Sequence, residues 1–257
     1  MQLRLTLSHV YLKAAMLGCG FAAALCIVAV PARAAFIGTV HIQFQSGGQS
    51  GSYDVSIPGN ADSYSWALPS AVEIYSTENP GIAIATLQGL NLYLDGDPGV
   101  SLGFNVAVGP SPTLITFSSA VVAFGAITNP LGFATAALTV TDVDSDGASA
   151  TGALPGTTAY QAIYNGSTVF ANLISPVIAA VDSSALGSGR APVAGTVVIP
   201  GSVTSIQSQF SFTLSANDLA SGTSRFNITP EPATFVLLVI GASVLAIPAL
   251  RRWRRKA

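Results

Sequence analysis

The sequence predicts an all-β fold, an antiparallel β-sandwich or jelly-roll-like single domain, and three observations lead there. Short runs of β-branched and aromatic residues recur along the chain, separated by Gly, Pro, Asn or Asp. Several runs alternate strictly: Val40, Ile42 and Phe44 stand against His41, Gln43 and Gln45, the signature of a strand with one dry and one wet face. No window sustains apolar residues at i, i+3, i+4 and i+7 opposite a charged face, so helices should be scarce.

In order, the expected strands run over residues 36–45, 82–94, 100–108, 113–117, 121–127, 134–143, 168–174, 193–199 and 205–214. Asp95-Gly96-Asp97-Pro98-Gly99 reads as a hairpin turn between the second and third of them. Asn165-Gly166 stands in hairpin position between 160–164 and 168–174. The Ser- and Gly-rich stretch 182–190 reads as a surface loop, and 215–221 as one helical turn in which Ser215 caps toward Asp218. The β-sandwich body is expected over 35–222 and a linker over 223–232.

Both ends have the composition of segments that handle membranes. Residues 1–34 carry Arg4 and Lys13, then an apolar stretch from Ala14 to Val30, then Ala32-Arg33-Ala34 as an A-x-A cleavage site, which together predict a signal peptide. At the other end Pro230-Glu231-Pro232 precedes an uncharged segment, 233–250. A helix of that length rises about 27 Å, close to the thickness of a hydrocarbon core, which predicts one transmembrane helix. Arg251, Arg252, Arg254, Arg255 and Lys256 in the basic tail 251–257 should stop transfer and stay cytoplasmic. The prolines keep Glu231 on an extended, accessible segment suited to a processing enzyme.

Proline-glutamate-proline, an apolar helix and an arginine-rich end, in that order and spacing, resemble the PEP-CTERM sorting signal of Gram-negative bacteria. The resemblance covers about one tenth of the chain. It implies recognition by the membrane-embedded exosortase, transient anchoring in the inner membrane through the C-terminal helix, cleavage near the tripeptide, and delivery to the cell surface or extracellular space. Such proteins are common in bacteria that make extracellular polysaccharide, which is the further partner the resemblance suggests. It does not imply an enzyme.

Between the two ends the composition excludes several classes of function. Cys19 and Cys26 both lie in the expected signal peptide, so the exported body has neither disulfides nor thiolate metal ligands nor a cysteine nucleophile. From residue 35 to 229 there are eleven acidic residues and two basic ones, Arg190 and Arg225, and 11 minus 2 gives a formal charge of minus nine. A body this acidic repels phosphate, and no nucleic-acid partner is expected.

Catalysis finds little support, and the chain is expected not to be an enzyme. His41 is the only histidine after the signal peptide, and no serine stands in a G-x-S-x-G elbow. Asp142-Val143-Asp144-Ser145-Asp146-Gly147 places carboxylates on alternate residues before a glycine, like the opening of an EF-hand calcium loop. The acid that closes an EF-hand at the twelfth position is missing, since Ala153 stands there, and a solvated Asx-rich turn explains the same residues. Asp142, Asp144 and Asp146 are therefore candidate calcium ligands, and no other cofactor is expected. Tyr64, Trp66 and Tyr75 are candidates for an aromatic platform that stacks on sugar rings, with core packing as the competing use. The alternative function from another class is a carbohydrate-binding module or a glycosidase on the same sandwich, the latter drawing paired carboxylates from Glu73, Glu78 or the aspartates.

Overall fold

A computed structural model describes residues 35–58 and 63–230. The expected signal peptide, Glu231, Pro232, the apolar segment and the basic tail lie outside the described residues. Eighteen strands follow one another along the described residues. The first six are β1 (Ala35–Ile37), β2 (Thr39–Ser46), β3 (Gln49–Ser56), β4 (Ser63–Ala67), β5 (Val72–Tyr75) and β6 (Ala83–Asp95). Next come β7 (Gly99–Val108), β8 (Thr113–Ser118), β9 (Val121–Thr128), β10 (Leu131–Thr141), β11 (Ala148–Gly152) and β12 (Tyr160–Tyr164). The last are β13 (Thr168–Leu173), β14 (Val177–Ala179), β15 (Ser184–Ala191), β16 (Val197–Val198), β17 (Ser202–Leu214) and β18 (Leu219–Thr229). Among the described residues the only helical element is a single 3-10 turn, Pro155–Thr157.

The strands form two antiparallel sheets. The first has ten strands in the order β1-β9-β17-β8-β2-β3, with β17 as its trunk. One edge of β17 pairs with β9 and then β8; the other pairs with β12 and then β11, which carry β13 and β14 outward. The second sheet has eight strands in the order β15-β10-β18-β7-β6-β4, with β16 beside β10 and β5 beside β6. Alternation sorts the side chains: along β7 and β10 every second residue is buried, as expected of strands with one face on a core.

Phe104 of β7 crosses from the second sheet into the aromatic centre of the first. Its ring stacks on Phe117 at a centroid distance of 4.0 Å and meets Phe210 edge-on at 5.0 Å. Around these lie Phe44, Phe212 and Tyr160, all fully buried. Burial pushes the Tyr160 phenol up to about 12, and its hydroxyl pairs with that of buried Ser208 at 2.9 Å. Apolar area removed from water on this scale is the main term favouring the folded state.

Two hairpins form where turn residues stand. Asp95 and Gly99 close β6 onto β7, and Asn165 (φ 50°) with Gly166 (φ 78°) closes β12 onto β13 in the left-handed geometry that tight hairpins require. Four expectations need correction. Residues 184–191 are not a loop but strand β15, and 223–229 are not a linker but the second half of β18. Residues 215–218 form a turn without a helix. Of the expected strand 193–199 only Val197–Val198 pairs, while Val193 is 90% exposed.

Candidate metal centre

At one end of the described body several turns carry the chain from one sheet to the other. The 142–147 turn links β10 to β11, 180–183 links β14 to β15, and 215–218 links β17 to β18. Hydrogen bonds tie them side by side. Ser215 donates its backbone N–H to Ser149 O (3.0 Å), and Ser149 returns one to Ser215 Oγ (2.7 Å). Asp142 donates its N–H to Ser183 O (3.0 Å), and Asn217 donates to Gly109 O (2.8 Å) in the turn between β7 and β8.

The 142–147 turn folds as its sequence prescribes. Asp142 is buried, and its carboxylate collects backbone N–H groups: Ser145 donates to Oδ1 (3.1 Å) and Asp182 to Oδ2 (2.6 Å). Burial pushes this carboxyl up, but the N–H groups of Asp182, Gly147, Asp146 and Ser145 outweigh that and hold it below the ordinary value. Gly147 takes φ +94°, the left-handed conformation that a sharp turn after three aspartates requires.

The carboxylates of Asp142, Asp144 and Asp146 converge, each offering an oxygen within 4.8 Å of the others. Asn217 donates its side-chain amide to Asp144 Oδ2 (2.9 Å), and Ser145 its hydroxyl to Asp182 Oδ1 (2.6 Å). The nearby Asp144 carboxylate raises the Asp146 carboxyl above its ordinary value, with smaller contributions from burial and from the charges of Asp218 and Asp142. Among the described residues neither arginine pairs with these acids. Arg190 donates to Gly195 O (2.6 Å) and Arg225 to Asn227 Oδ1 (2.6 Å), and both guanidinium groups lie near the Phe133 ring.

Sequence reasoning missed the approach of Asp218, which feels the charges of Asp142 and Asp144 but lies outside the converging set. It is 0% exposed, its Oδ2 accepts from the Ser215 hydroxyl, and its Oδ1 has no hydrogen-bond partner. Burial raises its carboxyl, and the charges of Asp144 and Asp142 add to the rise. The pairing of Ser215 with Asp218 was legible as a local cap; its position against the 142–147 turn depends on two sheet crossings that no local pattern records.

The remaining candidates are dispersed. Tyr64 and Trp66 of β4 stand opposite buried Leu94 and Leu92 of β6 and pack against the core, whereas Tyr75 of β5 is 48% exposed. The three rings do not share one face. His41 contacts the Asp54 carboxylate through Nδ1, and its Nε2 meets the Gln43 amide (2.9 Å) where a nucleophilic hydroxyl would be needed. Glu73 accepts from the Tyr75 hydroxyl, and Glu78 from Ser50 and Ser76, so both serve local structure. No protein-family model matches the chain, and no curated protein is similar to it.

Proposed function

We propose that the chain is a non-enzymatic, exported protein of the cell surface or extracellular matrix, sorted by exosortase through its C-terminal tail. The observation that carries this is the order of the tail: Pro230-Glu231-Pro232, eighteen uncharged residues, then five basic ones within six positions. The body between the ends suits such a fate. It has no cysteine whose redox state would change outside the cytosol, and its net negative charge keeps it soluble there. The last strand of the described residues, β18, ends at Thr229, so the tripeptide follows directly on paired backbone and cleavage beside it would leave these sheets whole.

Deleting residues 230–257, or the host's exosortase, is expected to move the protein from the surface fraction to membrane or periplasmic fractions. Mass spectrometry of the surface form is expected to find a C-terminus near Pro230. An unchanged surface fraction after both deletions would overturn the sorting mechanism.

A further inference from the structure

We propose that the free edge of β15 is a self-association surface, at which a second copy of this chain adds its own β15 antiparallel with Leu186 opposite Leu186. Among the described residues β15 pairs with β10 alone, over eight registered positions without a bulge, and none of its eight residues is buried. Such an edge turns a row of backbone N–H and C=O groups outward, a template for another strand. β16 continues the same side of β10, where Val197 and Val198 stand opposite Gly132 and Leu131. Apolar side chains gather here: of the eleven large hydrophobic residues exposed in the described body, six fall within 178–198, namely Ile178, Val181, Leu186, Val193, Val197 and Val198. Clustered exposure of this sort marks an interaction surface, where scattered residues would not.

Charge selects the occupant. The body has a formal charge of minus nine over residues 35–229, so a second copy is repelled from most of its surface. The 178–198 stretch holds one acid, Asp182, and one base, Arg190, which stand four residues from Leu186 on opposite sides. Residues that face each other across an antiparallel ladder have numbers with a constant sum, so Leu186 on Leu186 sets Arg190 of each copy against Asp182 of the other. Asp182 sits at the acidic corner, its N–H on Asp142 and its carboxylate on the Ser145 hydroxyl, and among the described residues no arginine of its own chain pairs with it. The incoming guanidinium supplies the missing positive charge: Arg190 gives one N–H to Gly195 O and keeps others for a carboxylate. Val193, just past the end of β15, would at the same time approach the second copy's Val181, apolar against apolar. By symmetry both contacts form twice, once at each end of the paired strands.

The inference is independent of the sorting tail, which every variant retains. Sedimentation velocity of the full-length chain in detergent is expected to show a concentration-dependent equilibrium between monomer and dimer. Leu186→Lys alters an exposed side chain, so it should melt as wild type yet weaken dimerisation at least about tenfold, because it sets two like charges face to face. Asp182→Lys and Arg190→Glu should each weaken it similarly, and the double variant, with the two charges exchanged, should recover dimerisation to within about threefold of wild type. Melting of each variant at a dilution where wild type is monomeric separates loss of contact from loss of fold. A monomer at every concentration would overturn the surface, as would association that Leu186→Lys leaves unchanged, which would assign it to the tail or to another face. Failure of the double variant to recover would overturn the antiparallel register centred on Leu186.

Discussion

Gly222 faces the core from β18 directly opposite Phe104 of β7, and a Cβ built there would sit 2.4 Å from the Phe104 ring. The glycine is the space the central aromatic ring occupies. Gly222→Ala is expected to cost about 1–3 kcal/mol, the range for overpacking a tight core, measured by denaturant unfolding. Phe104→Leu, destabilising alone, should lose part of its cost in the Gly222→Ala background; strictly additive costs would show that the two residues do not compete for space. The same residue explains part of what the sequence concealed. Leu-Ala-Ser-Gly-Thr-Ser looks like the end of a domain by composition, yet it is central strand, because its inward positions must be small beneath Phe104 and Tyr160.

Strand β15 repeats that lesson as an element. Its inward residues are Ala185, Gly187, Gly189 and Ala191, and a Cβ at Gly187 would meet Val177 at 2.5 Å and one at Gly189 would meet Leu173 at 3.1 Å. Composition therefore reads a loop where packing has selected small residues for an edge strand. The strands with larger alternating side chains, β2, β6 to β10 and β17, were legible because their inward faces carry Val, Ile, Leu and Phe. The acidic loop was legible as far as its three aspartates; Asp218 was not. Between elements, Glu78 links the edges of the two sheets: after β5 it accepts the N–H (2.6 Å) and hydroxyl (2.5 Å) of Ser50 at the start of β3. These bonds from Ser50, with the loop's own backbone and Ser76, hold the Glu78 carboxyl down to about 2 from an ordinary 4.5. A carboxyl lowered on folding stabilises the protein above its unfolded value and ceases to do so as pH falls through the folded one. The melting-temperature advantage of wild type over Glu78→Gln is thus expected to be full at neutral pH, to shrink below about 4.5 and to vanish near 2. A gap independent of pH would remove the charge from the explanation.

Over the whole described body there is no lysine, and the two arginines both lie in strands, Arg190 in β15 and Arg225 in β18 between β10 and β7. Proteases that cut after basic residues need a segment of chain free to enter their active site, which paired strands deny until they open. Trypsin is expected to leave residues 35–189 and 191–224 uncut at any temperature and to reach Arg225 only on unfolding, as electrophoresis of digests below and above the melting temperature would report. Rapid native cleavage after Arg225 would mean that β18 opens independently of the sheet.

The position of β18 also decides how the molecule bears load. Any pull applied beyond Thr229 runs along the axis of a strand clasped on both sides, over eleven registered pairs with β10 and nine with β7. Ladder hydrogen bonds lie across the strand, so such tension shears many of them at once where a hairpin tugged from its end would unzip them singly. A particle tethered by that end would hang from the longest ladder among the described residues, the eleven pairs of β18 with β10.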